Sequence, residues 1–346
     1  MKNMAAYMTA LRKIEFREVP MPNVGAEEVL VKIEYVGICG SDMHYLERGR
    51  IGDFVVQGDF ILGHECAGSV VSVGTDVKKL KVGDKVALEP GLTCGKCEFC
   101  TGGKYNLCRE VVFLATPPHH GCFQNYLAYP ENMAFKLPDG TGSKEGALVE
   151  PLAVGIHAAR QAGVGLGSSA VVLGAGCIGL VTLLACKAYG ATDITVVDVL
   201  PKRLECAKKL GATRVINARE QDTVAEIMGL TDGAGVDAVF EAAGTAATVA
   251  QTADLVKAGG SVVLVGLSPQ DEITYNFAKL IRKEARIETV FRYRNIYPDA
   301  IAGIAAGLID VSGIVSHEFD FADINAAFDY AIEHKDDVVK AVVRMA

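Results

Sequence analysis

The chain has no block of lysine and arginine, and acidic residues outnumber basic ones 42 to 34, for a formal charge of −8. Nucleic-acid binders show the opposite balance, so a polyanion-binding surface is excluded as the basis of function. No uninterrupted apolar run approaches the roughly 20 residues that span a bilayer, which excludes a membrane helix. Charges at Lys2, Arg12 and Lys13 enclose no apolar signal core, and no small-residue cleavage site follows. The expectation is therefore a soluble, cytoplasmic protein without a membrane partner. Internal repeats, low-complexity tracts and disordered linkers are also missing. What is present is 346 residues, half apolar and 22% charged. That profile is globular, and the length predicts two domains rather than one core.

The first 150 residues are rich in glycine and turns, with short β-branched runs at Val29–Ile33, Ala67–Val73 and Lys85–Leu88. Helical periodicity is scarce there, which predicts a small, mostly β, barrel-like domain. The texture changes near 152. Strands are predicted at 169–173, 194–197, 238–241 and 261–265, with helices at 178–189 and 201–210, the latter stopped by Gly211. Strands alternating with helices predict a parallel sheet covered on both faces. After about 290 the pattern is mixed again, with a helix near 298–307 and strands near 314–319 and 338–344. This order suits a domain inserted between two segments of another.

Gly174-Ala175-Gly176-Cys177-Ile178-Gly179 lies between a predicted strand and a predicted helix. In such a turn the glycines allow a tight bend, close approach of a pyrophosphate and close helix–strand packing, while the helix N-terminus offers oriented N–H groups. The motif alone is weak. Here a second strand ends at Asp198, nineteen positions past Gly179, where a carboxylate accepts bonds from ribose hydroxyls and repels a 2′-phosphate. NAD is favoured over NADP, although Arg203 nearby could welcome a phosphate.

Ten cysteines in a chain without an export signal are expected to stay reduced. Cys94, Cys97, Cys100 and Cys108 fall within fifteen positions on one glycine-bearing loop. Four soft ligands suit a closed, structural zinc site, with an iron–sulfur cluster as the competitor. A second set is scattered: Cys39, then His64 and Glu65. Thiolate, imidazole and carboxylate would leave one position open, as catalytic zinc requires, but sequence distance alone does not join them.

Several further motifs occur in order: Gly37-Ile38-Cys39-Gly40-Ser41-Asp42-x-His44-Tyr45, Gly49-Arg50-Ile51-Gly52-Asp53-Phe54, Gly63-His64-Glu65, Glu150-Pro151-Leu152-Ala153-Val154-Gly155-Ile156-His157 and Phe291-Arg292-Tyr293. In these the chain resembles, nearly end to end, the zinc-containing medium-chain alcohol and polyol dehydrogenases, most closely the sorbitol (L-iditol) dehydrogenase group. The resemblance implies an α/β fold in which a Rossmann doubly wound parallel sheet, residues 156–290, is inserted into a GroES-like β-rich catalytic domain, residues 1–155 and 291–346. The structural zinc lobe would span about 90–110. It implies that Cys39, His64 and Glu65 bind catalytic zinc, with Glu150 beside it as an intermittent ligand or through bound water. Tyr45, Glu150, Arg292 and Tyr293 would meet polyol hydroxyls. Gly174, Gly176, Ile178, Gly179, Asp198, Arg203, Val265, Gly266, Leu267, Phe291 and Arg292 would line the cofactor. Relatives are commonly tetramers, so a homo-oligomer is implied. At His119-His120 relatives more often carry acidic or other polar residues; a solvated loop is expected, with an extra metal contact alongside Cys122 as the alternative.

The expected chemistry follows. Hydride leaves a carbinol carbon easily only when its oxygen is near an alkoxide, and zinc acidifies a bound hydroxyl. Ser41 and His44 are candidates to relay the proton. The expected reaction is reversible oxidation of a polyol of the sorbitol or xylitol type to a ketose. The alternatives are a butanediol or threonine dehydrogenase of the same fold, or a non-catalytic NAD-sensing protein.

Overall fold

The computed structural model describes residues 2–270 and 272–345. The chain divides into two compact units: one comprises Met1–Glu150, Tyr297–Ala305 and Val315–Ala346, the other Pro151–Ile296 and Ala306–Ile314. No helix among the described residues is long and apolar enough to cross a membrane.

The first unit is built on a seven-stranded sheet whose central strand is Glu28–Ile38. That strand pairs antiparallel with Glu65–Val73, Tyr126–Pro130 and Ala341–Arg344. It contains the expected Val29–Ile33 run, whose inward residues Val29, Val31 and Ile33 are fully buried. A three-stranded sheet of Asn3–Ala10, Lys13–Val19 and Phe60–Ile61 stands beside it. Ala341 faces Ile38 across the ladder, which brings this last strand beside the residue that precedes Cys39.

Helices are more prominent here than the residue pattern suggests. Gly40–Arg48 is a nine-residue helix that buries only Asp42, Tyr45 and Leu46, too short a stripe to register as periodicity. It is defined by its ends: the Asp42 carboxylate accepts the Cys39 N–H at 3.0 Å, and Gly49 closes it at φ 70°. Val149–Ala162, whose first two residues close this segment of the first unit and whose remainder belongs to the second, is helical and carries Glu150 in its first turn. Toward the C-terminus the predicted helix is found at Tyr297–Ala305 and the strands at His317–Asp320 and Ala341–Arg344, while the helix Ile324–Glu333 was not foreseen.

The second unit is a six-stranded, wholly parallel sheet. Numbered along the chain from Ser169–Leu173 to Arg286–Thr289, its strands lie in the order 3-2-1-4-5-6. The order reverses between the first and fourth strands, the switch point at which doubly wound sheets take dinucleotides. Val171, Leu173, Val239 and Val262 are fully buried, as strands covered on both faces require.

His157, on the helix Val149–Ala162, is 4% exposed. Burial first, then the positive charges of Arg294 and Arg160, push its imidazole down to about 4. The unfolded chain therefore takes up this proton first, so the contribution is complete above about pH 6.5 and is lost as pH falls toward 4. Melting temperature is expected to drop more steeply between pH 6.5 and 5 in the native protein than in His157→Gln. Parallel slopes for the two would remove His157 as the cause.

Candidate functional site

Cys39 follows the central strand and opens the helix Gly40–Arg48, while His64 precedes and Glu65 begins the neighbouring strand Glu65–Val73. Their ligand atoms all lie within 4.8 Å of one another. Gly37 is directly opposite Glu65 in the ladder, and a Cβ there would lie 1.9 Å from Glu65 Oε2. Glycine is required at 37 because the carboxylate occupies that space.

Two buried side chains hold this group. Asp42, 0% exposed, accepts the Cys39 N–H at 3.0 Å and the Gly63 N–H at 2.9 Å, and its Oδ1 lies 3.7 Å from His64 Nδ1. One carboxylate thus joins the segments that carry Cys39 and His64, with the imidazole beside it. Burial works against the charged His64 imidazole, but Asp42 and Cys39 outweigh it and raise its pKa well above the ordinary value. Lys340, 2% exposed, is ion-paired with Glu65 and donates to Ile38 O at 3.0 Å. Thiolate, imidazole and carboxylate converging in a buried, hydrogen-bonded setting fit a zinc ion with an open position.

Glu150 is not part of that cluster, but it is buried at 6% exposure and its charge reaches Glu89. Glu89 is itself 3% exposed; burial and Glu150 push its carboxyl up to about 7, against the Tyr105 hydroxyl, which donates to it at 2.7 Å. Tyr45 is buried, Ser41 half-buried and His44 exposed on the same helix. Partial burial, then the positive charge of Arg48, lower the His44 pKa below the ordinary imidazole value.

The sulfurs of Cys94, Cys97, Cys100 and Cys108 also lie within 4.8 Å of one another. Sγ of Cys97 and Cys100 are 3.5 Å apart and those of Cys94 and Cys100 3.9 Å. A tetrahedron with 2.3 Å zinc–sulfur bonds has edges of about 3.8 Å, so the lobe has the right size. Backbone N–H groups of Lys96 and Cys97 bring the Cys94 thiol down to about 7, toward the thiolate a metal takes. His119 and His120 form no comparable group among the described residues. His120 Nδ1 accepts the Ile61 N–H at 3.2 Å and its ring packs near Tyr7 and Phe60, while Cys122 is fully buried.

In the second unit, Gly176 caps the helix Cys177–Ala188. A Cβ on Gly179 would lie 1.8 Å from Gly174 O, so the third glycine is dictated by the turn. Asp198 ends its strand and accepts the N–H of Ala175 at 2.6 Å, Val199 at 2.7 Å and Leu200 at 2.9 Å. The guanidinium of Arg203 reaches within 3.7 Å of the Cβ position on Gly176. Val265 and Gly266 donate to the backbone carbonyl of Glu241, and Leu267 is 85% exposed. Arg292 sits at φ 57° with its guanidinium 4.9 Å from the Phe291 ring; Tyr293 is buried.

Asp42, Lys340 and Glu89 were not assigned roles from the sequence. Asp42 had a signal, the capping position three residues after Cys39. Lys340 had none, being 301 positions from Cys39 and adjacent only through the strand pairing.

Residues 25–139 match the alcohol dehydrogenase GroES-like domain, and residues 177–306 match the zinc-binding dehydrogenase family. The chain is 44% identical to the sorbitol dehydrogenase of Bacillus subtilis (strain 168), covering 98% of this chain and 96% of that one. A solved Escherichia coli oxidoreductase/dehydrogenase of unknown specificity superposes with a TM-score of 0.94 at 46% identity, covering all of both chains. The 2R,3R-butanediol dehydrogenase of Bacillus subtilis does so at 0.91 and 31%, covering 99% of each.

Proposed function

The chain belongs to the zinc-binding dehydrogenase family, and from that premise we propose that it oxidises a secondary hydroxyl of a sugar polyol to the ketose with NAD. The observation that carries this reading is the convergence of Cys39, His64 and Glu65 on one point with three donor types and, among the described residues, no fourth member of the cluster. Similarity to a sorbitol dehydrogenase supports the polyol as substrate class.

When bound, zinc supplies Lewis acidity to a carbinol hydroxyl and NAD supplies the hydride acceptor. Cys39, His64 and Glu65 would hold the metal, and Asp42 keeps the His64 ring aimed. Cys94, Cys97, Cys100 and Cys108 would hold a second ion that only stabilises their loop. Ser41 and His44 would carry the released proton away. Tyr45, Glu150, Arg292 and Tyr293 are the proposed contacts to substrate hydroxyls; such donors disfavour simple apolar alcohols, because unmet polar groups are costly on binding. The glycine turn at 174–179, Asp198, Arg203 and residues 265–267 would hold the dinucleotide, in the parallel-sheet unit. Asp198 favours NAD because its carboxylate is fixed by three N–H groups and repels a 2′-phosphate.

A homo-oligomer is part of the reading. The strand Arg286–Thr289 is an edge of the parallel sheet, and Phe277 and Ile281 on the adjacent helix are 60% and 78% exposed. An open edge beside apolar side chains is suited to a second copy of the same chain; a monomeric mass in light scattering would refute this.

The direct test is zinc content together with NADH formation on C4 to C6 polyols, 2,3-butanediol and threonine. Two zinc ions per chain with NAD-dependent turnover of a polyol are expected. Turnover of butanediol or threonine alone would overturn the substrate class, and one zinc with no turnover would overturn the enzyme assignment.

A further inference from the structure

The fourth strand of the parallel sheet, Val236–Glu241, ends on a fully buried glutamate. Glu241 pairs with Leu173 on the first strand and with Leu264 on the fifth. Its backbone carbonyl accepts the N–H groups of Val265 and Gly266, both at 2.9 Å. Its Oε1 accepts the N–H of Ala243 at 3.0 Å, that of Gly244 at 2.8 Å and the Thr248 hydroxyl at 2.7 Å. Oε2 is buried with no hydrogen-bond partner. A Cβ on Gly266 would lie 2.8 Å from Oε2, so this oxygen fills the space between the ends of strands four and five.

All three donors to the carboxylate are neutral, so no cation compensates it at hydrogen-bond distance. A clasp that only held the two loops would not need the charge. The amide oxygen of a glutamine can accept from the same donors, and desolvating a carboxylate is expensive. Glu241 stands where a charge has a use. Leu173 runs into the glycine turn, and a Cβ on Gly174 would lie 2.9 Å from the Ala243 nitrogen. The loop after Glu241 thus packs against that turn, at the switch point between the first and fourth strands where a dinucleotide binds. The sheet offers two mononucleotide halves. Asp198 on the second strand marks the adenosine half, which leaves the ends of strands four and five to the nicotinamide half.

We propose that Glu241 determines which redox form of the dinucleotide the site prefers, favouring oxidised NAD over NADH. The proposal rests on the reading that the glycine turn and Asp198 hold NAD. The oxidised nicotinamide ring is a cation and the reduced ring is neutral. A buried carboxylate attracts the first and not the second, and the interior screens that attraction far less than water would. Glu241 then acts through its field, without touching the reacting atoms.

Equilibrium binding to the full chain without substrate tests this, with NADH followed by its fluorescence and NAD by displacement of NADH. Glu241→Gln keeps an acceptor for Ala243, Gly244 and Thr248 but removes the charge. It is expected to shift the ratio of the two dissociation constants about tenfold toward NADH. Glu241→Asp keeps the charge and should keep the native ratio, even where both affinities fall. Thr248→Lys sets an ammonium beside the same carboxylate and should shift the ratio in the direction of Glu241→Gln; it decides if Glu241→Gln does not fold. A native ratio in the deciding variant, or a shift in Glu241→Asp as large as in Glu241→Gln, would overturn the proposal and leave Glu241 a structural clasp. A native chain that binds neither NAD nor NADH would instead overturn the cofactor reading itself.

Discussion

Replacing His64 with alanine is expected to leave one zinc per chain, in the four-cysteine lobe, and to lower kcat/KM by at least about 10⁴-fold. The magnitude comes from the acidity the metal lends. Zinc lowers the pKa of bound water to about 7, and a carbinol hydroxyl without that help stays protonated and holds its hydride. Cys39 and Glu65 alone form a two-donor site that cannot retain the ion against competing chelators. Asp42→Asn should be milder, about 10- to 100-fold, because the ligands survive and only the orientation of the imidazole is lost. The two variants together separate ligand from support. A His64→Ala protein with two zinc ions and undiminished turnover would disprove the assignment of the triad.

How much of this site could be read from residues alone differs sharply between its parts. The lobe was legible because its four ligands lie within fifteen positions, so spacing alone implies proximity. The glycine turn was legible because each glycine answers a local steric demand, as the 1.8 Å approach at Gly179 shows. The triad was not, since Cys39 and His64 are 25 positions apart; their union came from resemblance and is seen directly only when the strands Glu28–Ile38 and Glu65–Val73 pair. Lys340 and Glu89 were invisible for the same reason, because a sheet register is a long-range property that a one-dimensional pattern does not contain. The helix Gly40–Arg48 was missed because end-capping and not periodicity defines it.

Lys340→Met should be the most destabilising single change near the site, but only when the metal is missing. The ammonium is 2% exposed, pairs with a Glu65 that is 1% exposed, and also holds Ile38 O. Removing one partner of a buried pair costs about 3–5 kcal/mol, because the other charge is left uncompensated; methionine keeps most of the stem's packing, so the loss is chiefly electrostatic. A divalent ion held by Cys39, His64 and Glu65 would supply the missing positive charge to the same carboxylate. Chelators would strip the lobe as well, so the comparison belongs in a double-mutant cycle with His64→Ala, which empties the catalytic site alone. Lys340→Met is expected to lower the melting temperature far more in the His64→Ala background than in the native one. Equal shifts in both backgrounds would mean that Lys340 stabilises the strand Ala341–Arg344 rather than the charge on Glu65.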